Sequence, residues 1–138
     1  MQVGTQNATK YRILPTSKKS RVFTKAPGWR EIGGKRCYFR SEWEVRVARY
    51  LQLLKDQKHI SEWEYEPHTF WFEEIKRGVR SYMPDFKVTR LDATYYWIEV
   101  KGYMDAKSHT KIRRLKKYYP NEQLMLIDKQ WFEKNPGV

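Results

Sequence analysis

The chain of 138 residues has one cysteine, Cys37, so an internal disulfide framework is excluded and a reducing compartment is the natural setting. Its three histidines, His59, His68 and His109, share no metal-ligand spacing and read as surface or hydrogen-bonded side chains. No Ser-His-Asp or Cys-His arrangement and no Gly-rich phosphate loop is present, which removes nucleophilic hydrolases and P-loop enzymes from consideration. No run of residues approaches the roughly 20 apolar positions needed to cross a bilayer, and the N-terminus carries no apolar signal core. A soluble, cytoplasmic protein with no membrane partner is therefore expected. Internal repeats and low-complexity segments are also missing. Acidic residues are scarce: 16 Asp and Glu stand against 28 Lys and Arg, a formal net charge of +12. With a pI near 9.8, the chain calls for a polyanionic partner.

Aromatic residues make up 16% of the sequence, and bases interleaved with aromatics favour nucleic acid over a membrane surface. The basic excess is uneven. Residues 1–40 hold ten Lys and Arg against a single acid, Glu31, and so carry three quarters of the net charge. Residues 1–28 lack clear periodicity and contain Pro15, Pro27, Ser17 and Ser20. They read as a basic arm, extended or disordered until it meets DNA or another subunit. Residues 29–138 form one domain, long enough to bury a core.

Within that domain, Trp29 to Ile32, Gly33-Gly34 and Lys35 to Phe39 spell a hairpin with a Gly-Gly turn. Ser41 opens a helix whose apolar face is Trp43, Val47, Tyr50, Leu51 and Leu54. From Ile60 the pattern becomes period two: Trp63 and Tyr65 share one face, Glu62, Glu64 and Glu66 the other, and Phe70 to Ile75 resumes after Pro67. A run from Val79 to Arg90, a turn at Leu91–Thr94 and a run from Tyr95 to Val100 predict two antiparallel strands. Asp105 to Tyr119 predicts a second amphipathic helix, with Ser108, Ile112, Leu115 and Tyr119 inward and Lys107, Lys111 and Arg114 aligned on another face. Leu124 to Ile127 predicts a strand buried on both faces and parallel to the preceding one. Trp131 and Phe132 fall in a short final turn. The expected fold is α/β, a mixed central sheet flanked by helices.

The chemistry lies in Pro84-Asp85-Phe86 followed by Glu99-Val100-Lys101-Gly102. If Asp92 is the centre of the turn, antiparallel pairing sets Asp85 opposite Glu99, with Cβ atoms roughly 4.5–5.5 Å apart. Two carboxylates so placed repel unless a cation sits between them, and Mg²⁺ suits one or two carboxylates completed by waters and phosphate oxygens. Glu99 and Lys101 point to one side of their strand, Val100 to the other. The bland alternatives are an exposed ion pair on a strand surface and ordinary Asp turn chemistry. Glu44 has two readings. Ser41-x-x-Glu44 is a capping box in which the Glu44 side chain returns to the Ser41 N–H; the alternative is a third carboxylate of the site. Glu64 and Glu66 read as a solvated strand face, or as a pair supporting the metal ligands from behind.

Asp followed by Glu-x-Lys in this order of elements resembles the PD-(D/E)XK nuclease superfamily, which implies a restriction-endonuclease-like core. Arg40-Ser41-Glu42-Trp43-Glu44, Glu64-Tyr65-Glu66, Tyr82-x-Pro84-Asp85-Phe86 and Glu99-Val100-Lys101-Gly102 together resemble the phage endonuclease I type of Holliday-junction resolvase, over about Arg40 to Asp128. That resemblance implies Asp85, Glu99, the Val100 carbonyl and Glu44 as ligands to one or two Mg²⁺ or Mn²⁺ ions. It implies Lys101 beside the attacking water, and a phage-encoded homodimer acting on DNA in a bacterial host. Arg40, Lys107, Lys111 and Arg114 would hold phosphates, and no small-molecule cofactor is called for. The rival readings are a duplex-nicking, restriction-like or end-processing nuclease of the same fold, and a non-catalytic nucleic-acid binder built on it.

Overall fold

A computed structural model describes residues 27–138. The basic arm read at 1–28 lies outside the described residues except for its last two, and Gly28 already belongs to the first strand. The elements run β1 (Gly28–Ile32), β2 (Lys35–Phe39), α1 (Glu42–Asp56), β3 (Glu62–Tyr65), β4 (Phe70–Trp71), β5 (Ser81–Tyr82), β6 (Phe86–Thr89), β7 (Tyr95–Val100), α2 (Ala106–Tyr118), β8 (Leu124–Ile127) and α3 (Lys129–Lys134). The protein is mixed α/β, with a central four-stranded sheet in the order β3-β6-β7-β8. β3, β6 and β7 pair antiparallel, and β7 and β8 pair parallel across α2. Two small hairpins, β1-β2 and β4-β5, stand apart from that sheet.

Local chemistry accounts for several of these elements. Gly33 and Gly34 have φ of 60° and 81°, the left-handed pair a two-residue hairpin turn needs, and Gln52 lies where a Cβ on Gly33 would go. Ser41 caps α1: its Oγ accepts the Glu44 N–H at 3.2 Å. Asp105 caps α2 in the same way, accepting the Ser108 N–H at 2.8 Å. In the β6–β7 turn the Asp92 carboxylate accepts the Thr94 N–H and hydroxyl.

Alternation along the strands builds two cores on opposite faces of the sheet. Trp63, Phe86, Val88, Ile98, Val100 and Ile127 pack against Phe39 of β2, the α1 face and Phe132 of α3. Trp97 turns the other way, to a second cluster of Phe70, Phe72, Tyr82 and Leu115 under α2 and the β4-β5 hairpin. Glu99 shares the Trp97 face.

Four expectations change. The run from Val79 to Arg90 is not one strand: it breaks at Met83-Pro84-Asp85 into β5 and β6, which belong to different sheets. Pro84 has no N–H for a ladder, so the chain can change partners there. β8 is the edge of the central sheet and is not buried on both faces, since Met125 and Leu126 are exposed. The apolar run Phe70 to Ile75 gives only the two-residue β4; Phe72 and Ile75 then close a turn, with the Ile75 N–H donating to the Phe72 carbonyl. The α1 apolar face is also broader than its stripe, because Glu44, Val45 and Ala48 are buried beside Val47 and Leu51. Among the described residues, no helix is long and apolar enough to cross a membrane.

Candidate active site

The β6–β7 ladder pairs Phe86 with Ile98 and Thr89 with Tyr95, so its centre is Asp92. One step beyond Phe86 and Ile98 the same register brings Asp85 to Glu99, both on the face opposite Ile98. Both carboxylates are buried, each at 8% exposure. Asp85 Oδ2 accepts the Val100 N–H at 2.7 Å, which locks the aspartate across the strand that carries Glu99. The Asp85 carbonyl accepts the Glu66 N–H at 2.8 Å and ties the same point to the end of β3.

Glu99 is held on both oxygens. The Tyr82 hydroxyl donates to Oε1 at 2.6 Å, and Lys101 Nζ lies 3.4 Å from Oε2. Glu44, also buried, enters from the first turn of α1. Its Oε1 accepts the Tyr65 hydroxyl at 2.7 Å and the Arg40 N–H at 3.1 Å. The capping box, one of the two readings of Glu44, is therefore only half formed. Ser41 caps the helix, but the Glu44 side chain reaches the backbone N–H of Arg40 and not that of Ser41, and it faces the same cleft as Asp85 and Glu99.

This cleft has a volume of about 530 Å³. Asp85, Glu99, Glu44 and Val100 line it together with the cations Arg40, Lys101 and Lys111. The Val100 side chain is packed in the first core cluster, so it is the strand's main chain that borders the cleft. Arg40 bonds Glu66 through Nε at 2.9 Å and Nη2 at 3.3 Å, while its side chain stays 64% exposed. Exposed pairs of this kind are worth little, so the guanidinium can exchange Glu66 for a phosphate at small cost.

Of the three cations aligned on α2, Lys111 lines the cleft. Lys107 is exposed and is not among the lining residues, and Arg114 donates through Nη1 to the Val79 carbonyl, tying α2 to the loop before β5. A shared helix face does not guarantee a shared cleft. Glu66 joins the site because it lies one step beyond the Tyr65–Phe86 pair, where the β3–β6 register sets it opposite Asp85; Glu64 borders a different hollow, with His68, Lys87 and Trp97.

Electrostatics give the arrangement its chemical character. Burial, then the charges of Glu99 and Glu44, push the Asp85 carboxyl up to about 8, against the opposing Val100 N–H and Lys101. Burial also raises Glu99, with Tyr82 and Lys101 pulling the other way. Both tyrosines are held well above their ordinary range, by burial first and then by the carboxylates they serve, so each remains a donor. Two buried carboxylates that resist sharing full negative charge favour a proton or a cation between them. Among the described residues no three His, Cys, Asp or Glu side chains form a ready-made metal cage. The donor set is instead Asp85 and Glu99, neighbours by the β6–β7 register, with Glu44 lining the same cleft. That composition fits Mg²⁺ or Mn²⁺, which take one or two carboxylates and fill their other positions with water and phosphate.

Sequence reasoning gave no role to Tyr82 or Tyr65, which hold Glu99 and Glu44, nor to Trp71 and Met83, which line the cleft beside them. Tyr82 stood in the Tyr-x-Pro-Asp stretch, so a signal was present. No family model matches the chain, and no curated protein matches it.

Proposed function

We propose that this protein is a Mg²⁺- or Mn²⁺-dependent DNA endonuclease with a restriction-endonuclease-like PD-(D/E)XK core, acting on branched DNA such as a four-way junction. One observation carries the reading: two buried carboxylates, Asp85 and Glu99, set side by side by the β6–β7 register, line a cleft together with Glu44, Glu66 and the cations Arg40, Lys101 and Lys111. A basic protein has no structural use for mutually repelling buried acids, whereas phosphodiester hydrolysis does.

Asp85 and Glu99 would hold the cation, with the Val100 carbonyl and Glu44 as further oxygen donors. The chemistry supplied by one or two such ions is Lewis acidity at the phosphate and a more acidic water. Tyr82 keeps Glu99 oriented, and the Val100 N–H does the same for Asp85. Lys101, on the Glu99 side of the strand end, directs the attacking water toward phosphorus and offsets charge on the phosphate. Arg40 and Lys111 fix the flanking phosphates without reading bases, with Lys107 and Arg114 as outlying contacts.

Cutting both strands of a junction takes two such sites, so the working form would be a homodimer in the cytoplasm of a bacterial host. The deciding experiment is cleavage of a four-way junction beside its matching linear duplex, with and without Mg²⁺. Metal-dependent cutting of the junction supports the proposal. Cutting of the duplex alone moves the enzyme to the nicking or end-processing class, and binding without cutting in either metal removes the catalytic assignment.

A further inference from the structure

The cleft has an apolar component that phosphate chemistry does not need. Trp71 and Met83 line it, and they are 55% and 36% exposed. Strand alternation sends Phe70 into the second core cluster and leaves Trp71 facing out, a position where a polar residue would suffice for folding. The main chain of Trp71 is nonetheless clamped. The Tyr119 hydroxyl donates to its carbonyl at 2.6 Å, the Phe72 N–H donates to the Arg80 carbonyl at 2.9 Å, and the Phe70 ring packs 4.9 Å from Tyr119 and 5.1 Å from Trp97. A rigid backbone under a solvent-facing indole is a preorganised platform. It is also close to the chemistry: Trp71 pairs with Ser81, and the adjacent pair, Phe70 and Tyr82, contains the hydroxyl that holds Glu99.

We propose that Trp71, backed by Met83, is a base-stacking residue, and that the DNA taken by this cleft presents an unstacked base, as at a branch point, bulge or gap, beside the phosphate to be cut. The inference rests on the nuclease reading for the identity of that phosphate. Bases inside a continuous duplex stack on one another and offer no free face, whereas a base at a branch point, bulge or gap does. Arg40, Lys101 and Lys111 hold the backbone while the indole takes the base, which is the combination of cationic groove and aromatic face that suits unpaired strands. Structure selectivity then follows without any base-specific contact.

The test uses the full chain with Ca²⁺ in place of Mg²⁺, so that binding is read without cleavage. Three labelled DNAs are compared by anisotropy: a perfect duplex, the same duplex with one unpaired nucleotide, and the same with that nucleotide made abasic. The wild-type protein should bind the unpaired nucleotide best and lose the advantage on the abasic DNA. Trp71→Ala should lose about 5- to 100-fold on the unpaired nucleotide and little on the other two, and Trp71→Phe should retain most of the preference. Trp71→Leu, which keeps apolar bulk without an aromatic face, carries the test if alanine lowers the melting temperature. Trp29→Ala removes an equally exposed indole that packs on Tyr38 and does not line the cleft, and should change nothing.

Equal binding of base and abasic DNA by the wild type, or an undiminished preference in both Trp71→Ala and Trp71→Leu, overturns the inference. Cleavage in Mg²⁺ is scored separately. Cutting without base discrimination refutes the stacking role and leaves the nuclease reading, while discrimination without cutting refutes the nuclease reading and leaves the platform.

Discussion

Asp85→Asn should abolish the proposed cleavage and at the same time stabilise the fold, with a stabilisation that grows as pH rises from about 4 and is complete above about 8. The ordinary aspartate value of 3.8 is raised to about 8 in the fold, so the native state holds this proton more tightly than the unfolded chain does. The stability associated with that proton is fully present below the ordinary value and is lost as pH rises through about 8. At ~1.4 kcal/mol per pH unit, the full gap sets a ceiling of ~6 kcal/mol. Water entry and sharing of the proton with Glu99 relieve part of it, so we expect about 2–3 kcal/mol at pH 9. Asparagine keeps an oxygen for the Val100 N–H and removes the charge that Glu99 repels. For a chain of 138 residues, that gain corresponds to about 6–15 °C in melting temperature.

The assay is thermal unfolding of both proteins in EDTA from pH 4 to pH 9, repeated with Mg²⁺ at pH 8. The two curves should meet near pH 4, diverge steadily up to about pH 8 and run parallel beyond it. Mg²⁺ should raise the melting temperature of the wild type and leave the variant unmoved, because only the wild type has the carboxylate pair to bind it. Parallel curves across the whole range, with no gain for Asp85→Asn at pH 9, would refute the coupled buried pair and with it the reason for a cation at this site.

Lys101→Ala should reduce single-turnover cleavage far more than affinity, with the logarithmic salt slope of binding falling by about 1; unchanged cleavage with weakened binding would make Lys101 a phosphate contact alone. Glu44→Gln keeps an amide oxygen for the Tyr65 hydroxyl and the Arg40 N–H, so melting should move by less than ~1 kcal/mol equivalent while cleavage falls; full cleavage would remove Glu44 from the ligand set. Tyr82→Phe deletes the hydroxyl that donates to Glu99, raises that carboxyl further, and should weaken Mg²⁺ binding by about 10- to 100-fold with a shift of the pH–rate profile to higher pH. An unaltered metal titration would show that the tyrosine does not orient the ligand.

Much of the site was legible because the forces that build it are local. The Asp92 turn fixes the hairpin, and period-two alternation then places Asp85 and Glu99 on one face in matching register. Gly33-Gly34 and the Ser41 cap are equally short-range, each set by backbone φ or a hydrogen bond within three residues. What alternation specifies is a face, not which sheet or which neighbour will cover it. The split of Val79–Arg90 between two sheets, β8 as an exposed edge, and Arg114 bound to the Val79 carbonyl depend on partners far apart in the chain. So does the Tyr82 hydroxyl on Glu99, 17 residues away, and the Tyr65 hydroxyl on Glu44, 21 residues away. The sequence by itself determined which residues carry charge and which strand face they occupy. Only the tertiary structure decided which of them share one cleft, because burial and repulsion between carboxylates arise when separate elements pack together and exclude water.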